Sequence, residues 1–137
     1  MASLPINRSA QLDIRAVTGT LLAGQALSLS GDLSDTNTYN ASLVSTADGN
    51  VDAVVRQPAS DVVDGSALQV GLSNARLLLG ATVAKDDFLT VDSNGAWRKV
   101  PTLTGAVRCY YVAFEPGNAG DLIWAHPVGS RPVALGL

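Results

Sequence analysis

Residues 65–100 read GSALQVGLSNARLLLGATVAKDDFLTVDSNGAWRKV. Leu68, Val70 and Leu72 alternate with Gln69 and Gly71, the period-2 pattern of a half-buried strand. Leu77-Leu78-Leu79 is a short apolar run stopped by Gly80. Lys85-Asp86-Asp87 is a turn, Phe88 to Val91 a strand, Asp92-Ser93-Asn94-Gly95 a second turn, and Ala96 to Val100 the return strand. Asn-Gly between such runs is a strong short-range hairpin signal, because both residues tolerate positive φ. The best helical window, Ser73 to Lys85, contains Gly80 and β-branched residues and reads better as strand.

The same grammar extends along the chain. Gln11 to Val17 alternates, with Leu12, Ile14 and Ala16 on one face and Asp13 and Arg15 on the other. Ala26 to Leu29, Tyr39 to Ser45 and Val51 to Arg56 are strand-like, with an Ala47-Asp48-Gly49-Asn50 turn and Pro58 as a stop. Ala106 to Phe114 is the longest expected strand, and Leu122 to His126 follows Gly120-Asp121. One device recurs: Gly24-Gln25, Gly65-Ser66, Asp86-Asp87 and Gly120-Asp121 each precede an alternating Leu/Val run. The intervals of 41, 21 and 34 residues are irregular, so this is turn chemistry reused and not a repeat architecture. About ten short strands predict an all-β fold, a compact β-sandwich or small β-barrel. The domain spans 11–126, with an extended N-terminal arm at 1–10 and an extended C-terminal tail at 127–137.

Composition narrows the function classes. The chain has 137 residues, enough for one domain with its own core. Charged residues make up only 15% against 47% hydrophobic, whereas a globular chain carries about a quarter charged. Such a surface suits a protein that works packed against others. The nine Lys and Arg are scattered and the net charge is −3, so no cationic track for nucleic acid is expected. No run is long and apolar enough to span a bilayer as a helix, and the N-terminus lacks a signal-peptide pattern. Cytoplasmic synthesis and assembly are expected.

No catalytic residue, cofactor or metal site is expected. His126 is the only histidine, and it is read as a strand-end residue held by Pro127. A Ser-His-Asp triad would have to use it, and no Gly-x-Ser-x-Gly elbow is present. Cys109 is alone and reads as a core thiol. One Cys and one His cannot make a zinc site. The pairs Asp32 with Asp35, Asp61 with Asp64, and Asp86-Asp87 lie in turns, where Asp is favoured for backbone bonding alone. Of the two tryptophans, Trp124 between Ile123 and Ala125 is read as buried. Trp97, between Ala96 and Arg98, is read as the more open one, able to reach a neighbouring molecule.

These pieces resemble the small bacteriophage head-decoration, or capsid-cement, proteins. The matching segments are Ala23-Gly24, Asp64 to Val70, Gly80 to Asp87, Asp92 to Gly95, and Ala113 to Ala125 with Gly120-Asp121, covering roughly residues 20 to 126. The chain departs where the family's usual glycine is Asp86, and where Arg56-Gln57-Pro58 replaces a Val-Gly step. The resemblance implies a non-enzymatic protein on the outside of an icosahedral shell, partnered by the major capsid protein and by itself as a homotrimer. It implies no direct nucleic-acid or membrane partner. Arms of this kind add a strand to a neighbour's sheet edge. The candidate contact residues are Leu4, Pro5, Ile6 and Arg8 on the arm, Asp32 and Asp35 in the 30–38 loop, Tyr39, and Trp97 with Arg98 on the return strand. The alternative is a carbohydrate- or receptor-binding β-sandwich, for which Trp97 and Tyr39 would supply the exposed aromatic row. A hydrolase using His126 or an Asp pair is the third reading.

Overall fold

The computed structural model describes residues 13–17, 20–30, 38–56, 59–60, 68–70, 73–101, 107–128 and 133–135. These residues are all-β. In chain order the strands are β1 (Asp13–Val17), β2 (Thr20–Leu21), β3 (Ala26–Ser30), β4 (Thr38–Leu43), β5 (Ala53–Val55), β6 (Ala59–Ser60) and β7 (Leu68–Val70). Then follow β8 (Ala75–Leu78), β9 (Phe88–Val91), β10 (Trp97–Lys99), β11 (Val107–Cys109), β12 (Tyr111–Ala113), β13 (Leu122–Pro127) and β14 (Val133–Leu135). The strands are more numerous and shorter than the sequence predicts.

Two five-stranded sheets form the body, in the orders β1-β4-β3-β5-β7 and β10-β9-β12-β13-β8. The first is antiparallel except for the parallel β1–β4 pair. The second is antiparallel throughout. Its two edges also meet: Leu79 bridges Trp97, and the Gly80 N–H donates to the Trp97 carbonyl at 2.8 Å. The second sheet therefore curls toward a small barrel, and the first lies against it in a sandwich-like arrangement.

The main core sits between the sheets. Ala26 and Val54 of the first meet Leu77, Leu89, Val91, Trp97, Tyr111, Ala113, Ile123 and Ala125 of the second. Leu27, Ala53 and Val55 point the other way, into a separate cluster with Leu21, Ala41 and the flanking Leu29 and Leu43. β5 is thus buried on both faces, which is why Ala53-Val54-Val55 is a continuous apolar run.

The expected 106–114 strand is divided. β11 pairs with β14, while β12 pairs with β9 and β13. The break falls at Tyr110, where Cys109, Tyr110 and Tyr111 are all fully buried in succession. A single flat strand cannot bury three successive side chains on one face. Tyr110 turns into the core because its hydroxyl bridges two backbone groups. It accepts from the Val51 N–H at 3.1 Å and donates to the Gly49 carbonyl at 2.7 Å. The tail beyond Pro127 is not separate from the body throughout, since β14 returns to pair with β11. The N-terminal arm at 1–10 lies outside the described residues.

The recurrent turn device has one geometry at three of its four places, Gly65-Ser66 lying outside the described residues. In Leu22–Gln25, Ala84–Asp87 and Asn118–Asp121, the fourth residue's N–H donates to the first residue's carbonyl at 3.2, 3.2 and 3.0 Å. The fourth residue's side chain returns the favour, accepting from the first residue's N–H at 2.7, 2.8 and 2.8 Å. The third residue has positive φ in each: Gly24, Asp86 and Gly120 at 88°, 73° and 93°. That is the requirement of a type II turn. Asp86 therefore holds the left-handed conformation that glycine takes in the other two turns. Asp86→Gly is expected to raise stability by about 0.5–1 kcal/mol by relieving this strain. Asp87→Ala is expected to lower it by about 1 kcal/mol, because the Ala84 N–H loses its partner. Thermal or urea unfolding of both variants checks the opposite signs.

The expected β9–β10 hairpin forms, with Trp97 opposite Val91. Its loop differs from a two-residue Asn-Gly turn. Only Gly95 has positive φ, and the Asp92 N–H donates to the Ala96 carbonyl at 2.8 Å across three loop residues. Asp92 Oδ1 caps the loop by accepting from the N–H groups of Asn94 and Ala96.

Candidate functional site

The outer surface of the second sheet carries an aromatic face. Along β13, Ile123 and Ala125 point inward, so Leu122, Trp124 and His126 point outward. Register across the sheet then sets the neighbours. Trp124 lies opposite Arg76 of β8, and Val112 of β12 lies between His126 of β13 and Phe88 of β9. The Phe114 N–H continues the β12–β13 ladder by donating to the Trp124 carbonyl at 2.9 Å. Phe88 and Trp124 are each 47% exposed, and Phe114 is 62% exposed. Three large aromatics are thus left open on one face of the sheet.

The face is ordered by its own contacts. The Phe114 and His126 rings meet edge-on, with centroids 5.7 Å apart. The Arg76 guanidinium lies over the Trp124 ring, 5.8 Å from its centroid, within cation–π range. The Trp124 N–H donates to Glu115 Oε2 at 2.8 Å, so a carboxylate completes the ladder where the chain leaves β12. Two hollows flank Trp124. One, about 360 Å³, is lined by Val54, Val55, Arg56, Asn74, Ala75, Arg76 and Trp124. The other, about 350 Å³, is lined by Asn74, Phe114, Trp124, Ala125 and His126.

The two tryptophans exchange the roles expected from the sequence. Trp97 is fully buried. Its indole N–H donates to the Gly24 carbonyl at 3.0 Å, and Tyr110 and Tyr111 meet its ring edge-on with centroids 5.9 and 5.2 Å away. Its side chain is enclosed by its own fold and offers nothing to a neighbour. Arg98, its companion among the expected contacts, is spent within the chain: it bonds Asp48 at 3.1 Å and ties the hairpin to the 46–49 turn. Tyr39 lies in β4 opposite Ile14, with its side chain outside the described set. Leu4, Pro5, Ile6, Arg8, Asp32 and Asp35 lie outside the described residues. The signal for the aromatic face was present in Leu122 to His126. If Ile123 and Ala125 face the core, period-2 geometry puts Trp124 on the outside.

Of the groups with catalytic potential, the Asp61–Asp64 pair, like Asp32 and Asp35, lies outside the described residues. Among the described residues, no group of three or more His, Cys, Asp or Glu could hold a metal ion. Cys109 is buried, and burial pushes its thiol up from its ordinary value, the opposite of an activated nucleophile. Burial likewise pushes the Tyr111 hydroxyl up to about 12, with the Ser73 backbone pulling weakly the other way. The folded state therefore holds this proton more tightly than the unfolded chain, whose tyrosine titrates near 10. The resulting stability is fully present below about pH 10 and is lost as pH rises toward 12, by roughly 2–3 kcal/mol. Tyr111→Phe is expected to flatten that alkaline fall, which denaturant titrations at pH 9 and 11.5 would measure.

The geometry defines an all-β, two-sheet domain with an ordered, exposed aromatic face. The solved structure of the N base of head fiber gp8.5 in bacteriophage phi29 has a similar fold, with a TM-score of 0.67 and 15% sequence identity. The match covers 90% of this chain and 96% of that one. No family model matches the chain, and no curated protein matches it.

Proposed function

We propose that this chain is a structural head-decoration protein that binds the outer surface of a tailed-phage icosahedral capsid and stabilises it. The observation that carries this reading is the fold shared nearly end to end with the base of a phage head fiber. The low charge content and the exposed aromatic face support it, since both suit a protein held against larger neighbours. The role is non-enzymatic, the partners are the major capsid protein and further copies of the chain as a homotrimer, and many copies bind one shell with avidity.

The test is direct. Shells of the phage that encodes the chain, prepared without it, are mixed with purified protein and sedimented. The expected result is saturable binding and a higher temperature of shell disruption. Failure to bind, with shells equally heat-resistant either way, would discard the proposal. A glycan- or receptor-binding module is the second reading, favoured by the exposure of Phe88, Phe114 and Trp124. Specific binding on a glycan array, lost in Trp124→Ala, would establish it.

A further inference from the structure

We propose that the groove around Trp124 is a docking site for an acidic polypeptide segment of a shell subunit, one that carries an apolar side chain beside its carboxylates. This rests on the capsid-binding reading and names the face and the chemistry of the partner.

The charge of the groove selects the occupant. The chain as a whole is acidic, with twelve Asp and Glu against nine Lys and Arg. The two hollows beside Trp124 reverse that balance: among the described residues their lining includes Arg56 and Arg76 and no carboxylate. Glu115 lies nearby, but its Oε2 accepts the Trp124 N–H. Among the described residues neither Arg56 nor Arg76 makes an ion pair; the pairs are Lys85–Asp86, Arg98–Asp48 and Lys99–Asp87. Two arginines without acidic partners, one of them already stacked on an indole, present planar forks suited to carboxylates.

The apolar half of the site is equally defined. Phe114, Trp124 and Ala125 line the second hollow. Trp and Arg dominate binding energetics where they can be enclosed by a partner. A saccharide fits less well. It would stack on an open indole face, and the Arg76 guanidinium already lies over the Trp124 ring.

The experiment compares shell binding by the full chain and its variants at about 50 and 500 mM salt, with thermal unfolding of each. Wild type is expected to bind, and more weakly at high salt. Phe114→Ala with Trp124→Ala is expected to bind at least about 30-fold more weakly, within the range of hot-spot truncation. Arg76→Glu is expected to lose at least about tenfold and to flatten the salt dependence. Lys99→Glu, on the exposed end of β10, is the unaffected control. If the aromatic pair also unfolds the protein, Arg76→Glu decides alone.

Wild-type binding with undiminished binding by Arg76→Glu and the aromatic pair would overturn the inference and leave capsid binding standing. No wild-type binding would overturn both. Concentration-dependent self-association in the absence of shells, abolished by Arg76→Glu, would assign the groove to a second copy instead and overturn the stated occupant, as would glycan binding lost in the aromatic pair.

Discussion

Trp97→Ala is expected to remove about a third or more of the folding stability of this domain. Truncating a fully buried tryptophan costs about 3–5 kcal/mol in transfer and cavity terms. The edge-on contacts with Tyr110 and Tyr111 add about 0.5–1.5 kcal/mol each. Against a typical total of about 5–15 kcal/mol, this approaches the threshold of folding. A thermal midpoint lower by about 15 °C or more is expected, or no soluble protein at all. The position also explains the size of the effect. Trp97 is where the second sheet closes, bridged to Leu79, and its indole N–H reaches the turn that leads into β3 of the first sheet. Trp97→Phe should cost less, about 2–3 kcal/mol, because part of the ring volume remains and the Gly24 carbonyl still accepts from the Leu78 N–H at 3.1 Å.

Fluorescence separates the two tryptophans. In Trp124→Phe the remaining indole, Trp97, should emit toward the blue and resist quenching by iodide. In Trp97→Phe the remaining Trp124 should emit further to the red and quench readily, because it is half exposed. An unchanged midpoint in Trp97→Ala, together with readily quenched Trp97 emission in Trp124→Phe, would restore the surface-contact expectation for this residue and contradict the core described above.

What could be inferred from the sequence depended on whether the signal was local. The β9–β10 hairpin was legible because alternation and the Asp92–Gly95 loop lie within a dozen residues. The turn device was legible for the same reason, although only the structure shows that Asp86 occupies the left-handed position. The division of the 106–114 strand was not legible. It is decided by Val51 and Gly49, about sixty residues away, which fix the Tyr110 hydroxyl. Local sequence misplaces Trp97, because Ala96 and Arg98 on either side make its short strand look open. Its own parity, shared with Leu89 and Val91 across the hairpin, puts it in the core. The aromatic face was half legible: parity along 122–126 turns Trp124 outward, but its juxtaposition with Arg76 and Phe114 required the sheet order. The charge character of the groove depends on Arg56 and Arg76 lining one hollow beside Trp124, which no local pattern encodes.

Gly24→Ala and Gly120→Ala form a matched pair in which the same substitution should give very different results. Both glycines take the third position of the same turn, with φ of 88° and 93°, so both replacements incur a similar backbone strain of about 1–2 kcal/mol. Their surroundings differ. A Cβ at Gly120 would meet nothing within 4 Å. A Cβ at Gly24 would lie 2.4 Å from the Leu78 backbone nitrogen, 2.6 Å from Leu122 Cδ2 and 3.0 Å from the Leu77 carbonyl carbon. The leucine tip can rotate away, but the β8 backbone can withdraw only by opening the junction. That junction holds three bonds at Gly24: its N–H donates to Val55 at 2.7 Å, and its carbonyl accepts from Leu78 and from the Trp97 indole. These are the bonds by which the turn fastens the two sheets together. Gly120→Ala should therefore fold and lose about 1–2 kcal/mol. Gly24→Ala should lose more than about 4 kcal/mol, in the range reserved for failures of packing or buried bonding, and is expected to yield insoluble or uncooperative protein. Equal losses in the two variants, measured by chemical unfolding, would show that backbone conformation alone explains Gly24 and that β8 does not pack against this turn as closely as described.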